Sequence, residues 1–82
     1  MQSKGGIKAV EQSYIDLSLV AGSNLKRLIK SSTYKTQEAF AVAFGTDVRT
    51  VRRWINQGIR CLDTLQQLAL FFGVDVFTLL SY

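Results

Sequence analysis

The chain has 82 residues, 48% of them hydrophobic, with a net charge of +4, no histidine, no proline and a single cysteine, Cys61. That bounds it to one small domain with enough apolar side chains for a compact core, and the lack of proline suits a mostly helical chain. An intramolecular disulfide, histidine catalysis and the usual Cys/His zinc sites are excluded, and with no carboxylate cluster an enzyme is not expected, nor a cofactor or small-molecule ligand.

Residues 1–6, MQSKGG, read as flexible and lack the charged-then-apolar pattern of a signal peptide. No stretch approaches the ~20 apolar residues of a membrane span, so a cytoplasmic protein without membrane contact is expected. Residues 7–21, IKAVEQSYIDLSLVA, are ambiguous. Val10, Tyr14 and Leu17 fit a helix, whereas Ile15, Leu17 and Leu19 alternate as in a strand. SSTYKT at 31–36 is a polar connection, with Thr36 placed to cap a helix over 36–44 and Glu38 in its positive first turn.

In that helix Phe40, Ala41 and Phe44 recur at helical spacing, and Gly45 supplies a left-handed stop. Asp47 is placed to cap a helix over 47–56. Its Val51, Trp54 and Ile55 point inward, while Arg49, Arg52, Arg53 and Asn56 share the outer face. INQGIRC then forms a loop with Gly58 as its left-handed residue. Leu62, Leu65, Leu68, Ala69 and Phe72 define an inward stripe on a helix over 62–72 that Gly73 ends, and Asp75 caps a short last helix to 81 bearing Val76, Leu79 and Leu80. Of the three late phenylalanines, Phe72 reads as core, and one of Phe71 and Phe77 is expected at the surface.

Charge is unevenly spread. Between residues 26 and 60, Lys26, Arg27, Lys30, Lys35, Arg49, Arg52, Arg53 and Arg60 stand against Glu38 and Asp47, while the segments on either side are neutral or acidic. The positive charge thus gathers around the 36–58 helix pair, as phosphate binding requires. A short helix with a buried apolar seam and an arginine row beside an amide suits the DNA major groove.

Gln37 near the start of the first helix of this pair, Ala41 within it, Gly45 at the turn and Val51 in the second sit where the Cro/CI-type helix-turn-helix family places such residues. LDTLQQLALFFGVDVFTLL resembles that family's fourth and fifth helices. The resemblance covers about residues 20 to 80. It implies a first helix near 18–31, with Ala21-Gly22 ahead of Leu25 and with Leu25, Leu28 and Ile29 inward. The implied fold is all-α: a five-helix phage-repressor-like DNA-binding domain over 18–82, preceded by an N-terminal extension, 1–17. The INQGIRC loop departs from the family by being about one residue short and lacking proline.

The implied function is a sequence-specific regulator of transcription, a repressor, that places helix 47–56 in the major groove of a double-stranded operator. The resemblance gives Gln37 a phosphate contact and a bracing role. Val48, Arg49 and Thr50 stand at the groove-entering end: Arg49 for a guanine edge, Val48 for a thymine methyl, Thr50 for a base, a phosphate or the helix's own first-turn N–H groups. Arg52 is the second base-reading candidate, while Arg53, Asn56, Lys35 and Arg60 are candidate phosphate ligands. Trp54 is expected to brace the core. One short helix reads too few base pairs for a rare genomic address, so a homodimer on a pseudo-palindrome is expected, formed on DNA through Val10, Tyr14, Ile15, Phe77, Leu80 and Tyr82. Two alternatives remain at this level. One is a winged-helix protein of the excisionase or MerR type, which VRTVRRWINQGIR also resembles but which needs a β-hairpin next. The other is an antitoxin or coactivator-type interaction module on the same helical fold.

Overall fold

The structure, a computed structural model, describes residues 15–81. Five helices account for its regular structure: α1 (Leu17–Ser31), α2 (Gln37–Phe44), α3 (Val48–Gln57), α4 (Leu62–Phe72) and α5 (Val76–Leu80). The all-α class and the five expected helices are borne out. Residues 1–14 of the proposed extension, with Val10 and Tyr14, and Tyr82 at the other end, lie outside the described residues.

Local chemistry sets most boundaries. Asp16 opens α1 by accepting both the Ser18 N–H at 3.0 Å and the Ser18 hydroxyl at 2.6 Å, which settles Leu17 and Leu19 as helical rather than strand. These hydrogen bonds from Ser18 hold the Asp16 carboxyl below the usual carboxylate range. Thr36, Asp47 and Asp75 cap α2, α3 and α5 through the backbone N–H groups of Ala39, Thr50 and Phe77. Each of these three helices therefore starts one residue after the capping position. Gly45, at φ 96° and ψ 31°, closes α2 in the left-handed conformation, a state that costs an L-residue about 1–2 kcal/mol.

Three expectations need correction. α3 runs on to Gln57, because the stretch INQ continues the helical ladder, and the loop is confined to residues 58–61. Gly58 has the expected positive φ of 100°, but its ψ of 164° is extended rather than left-handed. The chain there must straighten so that the Ile59 N–H can reach the Ser18 carbonyl at 2.9 Å. Leu62 does not face the core; it is 77% exposed. It sits in the unsupported first turn of α4, ahead of the buried run Leu65, Leu68 and Ala69.

The core gathers Leu25 and Ile29 of α1, Phe40 and Ala41 of α2, Val51 of α3, Ile59 of the loop, Leu65, Leu68 and Ala69 of α4 and Leu79 of α5. α1 packs against α3 on one side and α5 on the other, and α2 crosses α3. Phe40 centres an aromatic cluster. Its ring stacks on Phe44 at 5.4 Å and on Phe72 at 5.4 Å, and meets Phe71 edge-on at 5.3 Å. Trp54, half-buried, completes it edge-on to Phe44 at 6.0 Å, consistent with the bracing role expected of it. Phe77, at 76% exposure, is the late phenylalanine left outside.

Candidate nucleic-acid interface

α3 is the most sharply divided helix of the fold. Val51 is fully buried beneath it, Trp54 and Ile55 are half-buried at its edges, and Arg49, Arg52, Arg53, Asn56 and Gln57 are exposed on its outer side. Val48 and Thr50, in the first turn, are half-buried. The N–H of Thr50 is used internally, donating to Asp47 Oδ1 at 2.7 Å. That bond, with the nearby Arg49 and Arg53 guanidinium groups adding to it, holds the Asp47 carboxyl below its ordinary range.

The height at which α3 sits on the domain is set by Gly22, which sequence reasoning noted but did not explain. Gly22 is buried where α1 meets α3, and a Cβ in its place would lie 2.3 Å from the Trp54 carbonyl oxygen and 3.0 Å from that of Ile55. Hydrogen alone lets the two backbones approach this closely. Asn24, two residues on, was missed altogether. Its Nδ2 donates to the carbonyls of Leu79 at 2.8 Å and Ser81 at 2.7 Å, closing the C-terminal end of α5, and its Oδ1 accepts from Arg27. A buried amide whose acceptor carbonyls lie more than fifty residues away leaves no local signature of that contact.

Beside α3 lies a cleft of about 350 Å³, lined by Lys26, Ile29 and Lys30 of α1, Lys35 and Thr36 of the connection, Gln37 and Glu38 of α2, and Arg52 of α3. The structure therefore brings Lys35, Gln37 and Arg52 together and adds Lys26 and Lys30. Lys35 is held there by a tight turn. The Thr36 N–H bonds the Tyr34 carbonyl at 2.7 Å and Lys35 sits at the apex with φ 66°, the sole non-glycine among the described residues with positive φ. Arg52 is not idle: its Nη2 donates to Glu38 Oε2 at 2.8 Å, joining α3 to the first turn of α2. With the two side chains 55% and 63% exposed, the pair is worth only ~0.2–1 kcal/mol.

Arg60 lies apart from this group. It approaches Asp16 at 4.0 Å and shares a shallow groove with Arg53, Trp54 and Cys61 at the far end of α3. The candidate residues thus form two sets, one spread over the outer face of α3 and the 35–38 cleft, the other at its C-terminal end. Cys61 is exposed, and hydrogen bonding by Thr64 in the first turn of α4 holds its thiol below the ordinary range. Among the described residues, no helix is long and apolar enough to cross a membrane, and no group of three or more His, Cys, Asp or Glu side chains stands together as a metal site.

No protein-family model matches the chain, and no solved structure matches it. Among curated proteins, a 43-residue segment, 52% of this chain, is 37% identical to the DNA-directed DNA/RNA polymerase mu of Homo sapiens. The segment spans 9% of that polymerase, so the likeness is one of a short stretch.

Proposed function

We propose that this protein is a non-catalytic, sequence-specific double-stranded DNA-binding regulator of the Cro/CI helix-turn-helix type, a repressor that lays α3 in the major groove. The observation that carries the reading is the division of α3: Val51 fully buried on one side and Arg49, Arg52, Arg53 and Asn56 exposed on the other. The cationic cleft beside it extends the same surface toward the DNA backbone. Similarity of half the chain to a segment of a DNA polymerase fits a nucleic-acid partner without specifying this mode of binding. Selection of bound sequences from a random duplex pool tests the reading; recovery of no enriched sequence would defeat it.

Roles divide along α3. Arg49, at the groove-entering end, offers the two donors that match guanine O6 and N7. Arg49→Ala should therefore cost ~1–3 kcal/mol on the selected operator and relax preference at about one base position. Arg53→Ala should weaken all duplexes alike and flatten the salt dependence by about 0.9 in log–log slope. Equal behaviour of the two variants across a panel of operator changes would refute this division.

The protein works as a two-fold pair. A single recognition helix covers about 4–6 base pairs, too few to compete against genomic sites. A pair places two such helices one DNA turn apart, about 34 Å. Of the described residues expected at the pairing surface, Phe77 and Ile15 are 76% and 39% exposed, while Leu80 is half-buried against the core. So small a surface favours pairing on the operator, where DNA holds two copies together. Sedimentation with and without a full palindromic duplex should show monomer alone and two copies on DNA. A one-to-one complex that takes no second copy would overturn the pairing.

A further inference from the structure

Resting on the DNA-binding reading above, we infer that Glu38 is an electrostatic brake on sequence-independent binding, acting through Arg52. Four cations, Lys26, Lys30, Lys35 and Arg52, line the cleft beside α3, and Glu38 is the one acidic side chain among its lining residues. Its carboxylate holds the Arg52 guanidinium at 2.8 Å. Beside this cleft Arg52 serves as a phosphate ligand rather than as the base reader expected from the sequence, and the Glu38 carboxylate already occupies the place a backbone phosphate would take on it. A duplex that approaches this face must displace the carboxylate from Arg52 or leave Arg52 unused, and either outcome weakens its binding.

The pair suits such an exchange. It is solvent-exposed on both sides, so its contribution to folding is small and it can open without disturbing the core. Glu38 carries no other hydrogen bond or ion pair among those the described residues form, and the α2 cap is made by Thr36. Arg52 has a five-donor fork, of which the pair uses one N–H. Non-specific affinity comes almost wholly from phosphate neutralisation, so withholding one arginine lowers it directly.

Glu38→Gln is the matching test, because the amide oxygen still accepts from Arg52 while the charge is lost. The probe is a mixed-sequence duplex titrated over a series of salt concentrations, with wild type, Glu38→Gln, Arg52→Ala and the double variant, each checked by thermal melting. Glu38→Gln should bind the duplex about three- to tenfold more tightly at moderate salt. Its log–log salt slope should steepen by about 0.9, one additional phosphate neutralised. In the Arg52→Ala background both changes should vanish. If wild type binds duplex DNA and Glu38→Gln binds equally or less well, the brake is overturned while the DNA reading stands. Tightening that persists without Arg52 would overturn the route through Arg52. Failure of wild type to bind duplex DNA at any salt would sink the DNA reading itself.

Discussion

Phe40→Ala should remove about 3–5 kcal/mol of folding stability, the largest effect expected of any single substitution in this domain. Phe40 is fully buried, and four rings surround it: Phe44 and Phe72 stacked, Phe71 and Tyr34 edge-on, at centroid distances of 5.4, 5.4, 5.3 and 6.4 Å. Truncation forfeits the transfer energy of the ring and leaves a cavity that rigid neighbours cannot collapse into. Phe40 and Ala41 are also the two buried residues of α2, so little else anchors that helix. A domain of 82 residues holds only about 4–12 kcal/mol in total. The loss is therefore at least about a quarter of the whole. Urea unfolding followed by circular dichroism measures this, and a loss below about 1 kcal/mol would show that the cluster is looser than its geometry indicates.

Gly22→Ala should be nearly as costly, although alanine is the better helix former by about 1 kcal/mol. The added methyl would lie 2.3 Å from the Trp54 carbonyl oxygen and 3.2 Å from the Ile55 Cα, atoms of the α3 backbone that no rotamer change can move aside. α3 must lift from α1 as a body, and overpacking of this kind costs about 1–3 kcal/mol or more. A backbone clash this short belongs at or above the top of that range, so the net loss should be at least about 2 kcal/mol after the propensity gain. The melting temperature should fall by roughly 10 °C. Because the displaced element carries Arg49, Arg52 and Arg53, DNA affinity should fall by more than the unfolded fraction accounts for. An unchanged melting temperature would mean that α1 and α3 do not approach as closely as the structure has them.

Much of the helical scaffold was legible along the chain. Thr36, Asp47 and Asp75 could be read as caps and Gly45 and Gly73 as stops because capping is a hydrogen bond within three residues and a left-handed stop is a single-residue property. The outward arginines of α3 were legible for the same reason: helical period alone separates them from Val51. Leu62 was misread because periodicity states which face a residue is on and says nothing of whether a neighbour covers that turn. The start of α1 was ambiguous because Ile15, Leu17 and Leu19 satisfy a strand as well as a helix; the Asp16 cap decides it.

The sequence by itself determined an all-helical class, five helices to within a residue or two at most ends, a basic middle segment and the exposed arginine row. Tertiary structure alone decided how closely α1 and α3 approach, that Asn24 closes α5 across 55 residues of chain, and that Glu38 holds Arg52. The physical reason is one of range. Caps, stops and amphipathic faces act over one helical turn and are written in neighbouring residues. A backbone contact, a buried amide or an ion pair between helices depends on crossing distances that arise only when every apolar face has been satisfied at once.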